Sequence, residues 1–412
     1  MIWMNKMNLP DIQNTDVDAI YGECEASPND VGYDSERLKY LNGFIQSLID
    51  EGLICSGSYC LCRYGKVFAD NSVGTLAAEW MGHNRFAPET LFEIQSVGKL
   101  FTAVAVLKLY EDGLLSLEQY VKNLIPEFDV DGFKEITIQH LLTHTSGICA
   151  LDGFMPEDVR NWEKYINESD SEHTWISAVI KAGLHARPGE KWIYSVAGYY
   201  VLGEIIRRTS GMEAEEYIRR YIFTPCEMFD THWRIDANPA LIERYNIANE
   251  TDLDMVRKSK SLGIMYMANR TYKSYIGVPE TAGGQMSTCR DMIKFGQMIL
   301  QDGIYNGKRV IGKKALSLLY TNLLNPGTRN VTFGKDEAIM YGAGAAIYSA
   351  EYDKEQFLTE GTMYHEGAGT SVFLVDREKN FTACFQTSFR KEFDWDPRAV
   401  KDVASIIWSG II

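Results

Sequence analysis

The chain has 412 residues, 45% of them hydrophobic and 24% charged, with a net charge of −15. This is an ordinary composition for a folded globular protein, with enough apolar residues for one large domain or two modest ones. The acidic balance argues against nucleic acid and anionic membrane as partners.

The opening stretch, MIWMNKMNLPDIQNTDVDAIYGECEASPNDVGY, has no basic region followed by an apolar run. It is not read as a secretory signal, and a cytoplasmic address is expected. No run reaches the ~18 apolar residues that would span a bilayer. The eight cysteines stand at 24, 55, 60, 62, 149, 226, 289 and 384 and form no Cys-x-x-Cys pair. Neither zinc nor a redox dithiol is indicated. Buried free thiols are expected, with Cys60 and Cys62 on one face of a strand.

Residues 1–33 read as an irregular acidic arm. Asp34 and Ser35 then open a helix with Leu38, Leu41, Ile45, Leu48 and Ile49 on one face, closed by Gly52. The run SGSYCLCRYGKVFADNSVG predicts a hairpin turning at Arg63–Gly65. A further helix carries Leu100, Phe101, Val104 and Leu107 and stops at Gly113. Helical periodicity returns at 197–209, 213–222 and 289–301. The last third supplies the strands GAGAAIYSA, TMYHEG, TSVFLVD and FTACFQTSF. A closing amphipathic helix has Val400, Val403, Ile406 and Ile407 as its stripe. Strands at both chain ends with helices between predict an α+β sandwich. Its antiparallel sheet would come from about 34–95 and 335–412, with helices covering it and a helical part at about 96–334. A cleft is expected where the two parts meet.

Three short stretches carry chemistry. In IQSVGKLF, Ser96 and Lys99 are three residues apart, so a hydroxyl and an amine share one helix face beside buried surface. Such a tetrapeptide also arises about once by chance in a chain this long, and serine is a common helix cap. In KWIYSVAGYY, Tyr194 precedes an apolar helix and can exchange a proton if nearby cations lower its pKa. In MYHEGAG, His365 and Gly367 lie on a strand, followed by Ala368 and Gly369. Glycine there would let a substrate approach the backbone, whose N–H groups serve as an oxyanion hole.

In this order the three stretches resemble the penicillin-recognising serine hydrolases, whose nucleophile motif is Ser-x-x-Lys. The chain is similar to the class C β-lactamase-type family of esterases and peptidases over roughly residues 34–408. LLTHTSGI (141–148), RPGEKWIYSVAGYYVLGEIIRRTSG (187–211), IFTPCEMFDTHW (222–233) and ETAGGQMSTCRDMIKFGQMIL (280–300) extend the likeness. The resemblance implies that Ser96 is acylated, that Lys99 assists as base and that Tyr194 relays the proton. It places the backbone N–H groups of Ser96 and Ala368 in an oxyanion hole. His365 would orient Tyr194 or contact substrate. No cofactor and no metal are implied.

Two positions depart from the β-lactamase pattern. The second motif reads Tyr194-Ser195-Val196 where Tyr-x-Asn is usual, and valine cannot hold a substrate amide. The third reads His365-Glu366-Gly367 where Lys-Thr-Gly is usual, and a glutamate facing the site would repel a carboxylate. Val196, Glu366 and Gly367 are therefore the expected substrate-binding positions, although strand alternation could turn Glu366 away. An ester hydrolase or acyltransferase acting on a small molecule is the leading expectation. An amidase or D-peptidase and a non-catalytic binding protein are the alternatives. Aromatic residues at about 154–175 would form a lid.

Overall fold

The computed structural model describes residues 17–75, 86–148, 175–233, 244, 278–354, 356–368, 371–389 and 401–412. Its centre is a seven-stranded antiparallel sheet. The strands are β1 (Ala19–Tyr21), β2 (Ile54–Arg63), β3 (Lys66–Gly74), β6 (Ala346–Ile347), β7 (Met363–Gly367), β8 (Ser371–Asp376) and β9 (Phe381–Phe389). They run across the sheet as β1-β3-β2-β9-β8-β7-β6. A small ladder apart from it pairs β4 (Phe92–Glu93) with β5 (Met286–Ser287).

β2 and β3 form the expected hairpin. Its turn residues Tyr64 and Gly65 both have positive φ (54° and 76°), the geometry whose twist suits a two-residue hairpin. β9 then pairs with β2 from Phe381 opposite Arg63 to Phe389 opposite Ile54. The two ends of the chain are thus joined in the middle of the sheet, as the order of elements predicted.

Both faces of the sheet are covered, so its central strands are apolar on both sides. On one face lie α1 (Ser35–Asp50) and α5 (Lys401–Trp408). Leu41, Phe44, Ile45, Val403 and Ile407 pack there with Tyr59, Leu61, Leu374 and Phe385. Asp34 caps α1 by accepting from the Glu36 N–H at 2.9 Å. On the other face, Cys60, Cys62, Phe373 and Cys384 meet the helical part. This part contains α2 (Lys99–Glu111), α3 (Val196–Ser210) and α4 (Cys289–Leu300). Cys60 and Cys62 share that face as buried free thiols. α2 is buried on nearly every side, so it is a central helix rather than an amphipathic one.

The arm expected over 1–33 is corrected from residue 17 onward. β1 adds an edge strand against β3, and Tyr33 is buried in the α1–α5 core. The alternating pattern of a three-residue strand is too short to register in sequence. Among the described residues, no helix is long and apolar enough to cross a membrane.

Candidate active site

Ser96 sits in the Gln95–Gly98 turn, a single 3-10 turn leading into α2. Residues three apart in such a turn are nearly eclipsed. Lys99, the first residue of α2, therefore brings its Nζ to 3.0 Å from Ser96 Oγ. Gln95, just before the serine, holds a positive φ of 51°, a strained conformation for a non-glycine residue. Lys99 is fully buried. Burying an amine needs compensation, and it comes from the segment 280–285. Lys99 Nζ donates to the Ala282 carbonyl at 2.6 Å. Thr102 Oγ1 donates to the Thr281 carbonyl at 2.7 Å, and Thr281 Oγ1 donates to the Tyr199 carbonyl at 2.7 Å. The rings of Tyr194 and Tyr199 stand 4.9 and 5.6 Å from the amine.

Tyr194 is delivered by the start of α3. Ser195 caps that helix, its Oγ accepting from the Gly198 N–H at 3.0 Å. The Tyr194 phenol and the Ser96 hydroxyl are close enough for Ser96 to affect the phenol's proton affinity. Burial pushes the phenol well above its ordinary range, and the Ser96 hydroxyl only partly opposes this. The condition that nearby cations lower its pKa is not met, because desolvation dominates. Tyr194 rests as a neutral phenol that can both donate and accept. Three N–H groups around it are held: Ile193 by the His144 carbonyl at 2.8 Å, Tyr194 by Thr332 Oγ1 at 3.0 Å, and Ser195 by His144 Nδ1 at 3.1 Å. The sequence reading gave His144 and Thr332 no part in the site. Only the string LLTHTSGI around His144 stood out there.

β7 completes the cluster. Its ring contact with Tyr194, at 6.4 Å between centroids, comes from His365. His365 Nδ1 lies 2.8 Å from the Glu366 carbonyl, which only accepts, so Nδ1 carries the proton and Nε2 keeps its lone pair. Burial and the nearby Lys99 lower the His365 pKa to about 3. The residue is neutral near pH 7, unlike the lysine of the usual third motif.

The remaining positions are placed differently from expectation. Glu366 alternates away from His365. Its cross-strand partner Val372 belongs to the α1–α5 core, so Glu366 faces the opposite side of the sheet from Ser96. Burial raises its pKa, partly offset by Lys401 and Lys335. Val196 is 5% exposed and packed in the core, so it offers nothing to a ligand. Gly367 does permit close approach, but by the chain itself. A Cβ there would meet Ser371 Oγ, the Ile94 carbonyl and Gln95. Ser371 Oγ also donates to the Ile94 carbonyl at 2.9 Å. β7 is thereby locked against the turn that carries Ser96. The next residue, Ala368, turns with a positive φ of 23°.

The segment 154–175 read as a lid lies outside the described residues, apart from Trp175. Chemically, the cluster joins a hydroxyl, an amine within proton-transfer distance and a neutral phenol, with a neutral imidazole beside them. Such a set can deprotonate an alcohol and protonate a leaving group without a metal.

The sequence pattern of the family described as Beta-lactamase matches residues 41–404. Penicillin-binding protein 4* of Bacillus subtilis (strain 168) is 28% identical over 269 residues, 65% of this chain and 56% of that protein. The chain thus spans little more than half the length of that relative. Two solved structures share the fold. EstCE1, a hydrolase with promiscuous acyltransferase activity, has a TM-score of 0.70 at 18% identity, over 90% of this chain and 98% of its own. A family VIII carboxylesterase has a TM-score of 0.66 at 18% identity, over 94% and 99% of the two chains.

Proposed function

The chain belongs to the beta-lactamase family of serine hydrolases, and on that premise we propose that it hydrolyses an ester of a small molecule, or transfers its acyl group, through an acyl-enzyme on Ser96. The observation that carries the reading is Lys99 Nζ at 3.0 Å from Ser96 Oγ, with the Tyr194 ring 4.9 Å from the same amine.

In the proposed reaction Ser96 Oγ attacks the ester carbonyl as its proton passes to the Lys99 amine. The backbone N–H groups of Ser96 and Ala368 receive the developing oxyanion, a role supported by the packing of Gly367 on the Gln95 turn. The C–O bond to the leaving alcohol breaks, and that alkoxide takes the Tyr194 phenolic proton, which Lys99 replaces. Water or a second alcohol then attacks the acyl-enzyme by the same route in reverse.

Two features support an ester over a penicillin or a D-alanyl peptide. No lysine stands in the third motif, where the neutral His365 takes its place. Val196 lies in the core, where it cannot hold an amide. The likeness to a carboxylesterase and to a hydrolase with acyltransferase activity agrees with this.

The test is intact-protein mass spectrometry after brief exposure to a short-chain p-nitrophenyl ester, penicillin and a fluorophosphonate, with Ser96→Ala in parallel. An ester adduct with turnover, no penicillin adduct and a silent mutant are expected. A lasting penicillin adduct would replace the ester reading with the peptidase one, and silence with all three probes would remove the hydrolase reading.

A further inference from the structure

We propose that His144 is a positioning residue that sets Tyr194 against Ser96 by accepting from the Ser195 N–H through its Nδ1; the proposal rests on the serine-hydrolase reading above. His144 clasps the chain on both sides of Tyr194. Its carbonyl takes the Ile193 N–H at 2.8 Å, and its Nδ1 takes the Ser195 N–H at 3.1 Å. Its ring lies 4.5 Å from the Tyr194 ring, tilted by 37°. Trp192, Tyr199 and Tyr341 surround the other sides of that ring at 5.4, 5.1 and 5.4 Å.

The backbone of His144 is itself unusual, with φ of 56°, and the side chain is wholly buried. A histidine that only filled space would need no particular tautomer. Here Nδ1 accepts from a backbone N–H, so the neutral ring carries its proton on Nε2. Nε2 has no hydrogen-bond partner among the described residues. Nδ1 is therefore the side-chain acceptor that fixes the backbone next to Tyr194. Misplacing a reacting group by about 1 Å costs on the order of 100-fold in rate.

Three variants separate this role from plain packing. In His144→Asn the side-chain oxygen sits where Nδ1 was, and asparagine tolerates positive φ. His144→Gln moves the acceptor to the Nε2 position. His144→Phe keeps a ring and removes the acceptor. With a short-chain p-nitrophenyl ester, Asn should keep kcat within about 3-fold, while Gln and Phe lose roughly 30- to 100-fold with KM unchanged. Thermal melts check folding, and the Asn–Gln pair carries the comparison if Phe does not fold.

A second readout needs no turnover. In protein labelled with ¹³Cζ-tyrosine, the Tyr194 resonance, assigned through Tyr194→Phe, should hold its position in the Asn variant and move in Gln and Phe. Equal kcat in all variants with an unmoved Tyr194 resonance overturns the proposal, whatever the enzyme's substrate. A wild type that neither turns over nor acylates, yet shows the predicted order of Tyr194 shifts, supports His144 as the residue holding Tyr194 and overturns the hydrolase reading alone.

Discussion

At the scale of single residues, the site is a problem of protons in a dry place. Lys99 sits fully buried with Ser96 Oγ and the Ala282 carbonyl as hydrogen-bond partners. Replacing it with glutamine removes the proton acceptor while keeping length. Acylation by a p-nitrophenyl ester should then fall about 10³-fold, seen as loss of the burst in stopped-flow absorbance. His365 makes a different prediction. Its folded pKa of about 3 lies below the ordinary histidine value of 6.5, and His144 is shifted in the same direction. Between these limits the unfolded chain binds protons that the native protein refuses. Stability is therefore full above about pH 6.5 and declines as pH falls, by up to about 1.4 kcal/mol per pH unit for each histidine. Urea melts between pH 7 and 5 should show this slope, and His365→Gln should flatten it. Because His365 does not titrate near neutrality, the acid limb of the kcat/KM profile should survive in that variant. Loss of the limb would give His365 a protonation role that its environment argues against.

At the scale of elements, the contact that matters is β7 against the Gln95–Gly98 turn. A strand and a 3-10 turn come this close only because residue 367 has no side chain. In Gly367→Ala the added methyl would meet the Ile94 carbonyl, which is backbone and cannot rotate away. Stability should fall by about 1–3 kcal/mol, read from urea unfolding. Ester turnover should fall further than that loss explains, since the strand leading to Ala368 shifts away from Ser96. An alanine variant with wild-type burst amplitude and rate would show that β7 does not set the oxyanion site. The elements themselves were largely legible: α1 with its Asp34 cap, the β2–β3 hairpin and the late strands all lie where periodicity and turn residues put them. The 3-10 geometry at Ser96 was not legible. Its cause is the packing of Ile94 and Gln95 under β7, which no local pattern encodes.

At the scale of the whole molecule, the two ends of the chain close one layer. Tyr33 is fully buried, and its hydroxyl donates to the Ile407 carbonyl at 2.8 Å. The Asp34 N–H reaches the Gly410 carbonyl at 2.8 Å, and the Ile412 N–H reaches the Gly32 carbonyl at 2.9 Å. Tyr33→Phe should cost about 1 kcal/mol for the lost hydrogen bond. Tyr33→Ala should cost about 3–5 kcal/mol for the cavity between α5 and the sheet. Both are read from denaturant midpoints. A negligible loss in the alanine variant would mean that the N-terminal segment is an appendage after all.

The sequence by itself determined the sheet-and-helix order, the joining of the chain ends and the Ser96–Lys99 pair. Each of these is written in spacing and hydrophobic period, which act over a few residues. The tertiary structure alone decided which neighbours those residues keep. It buried Val196, turned Glu366 to the far face and raised the Tyr194 phenol by desolvation. It also brought His144, Thr332 and Ala282 to the cluster from distant stretches. Burial and long-range hydrogen bonds set proton affinities and orientation, and both depend on what folds against a residue rather than on what precedes it in the chain.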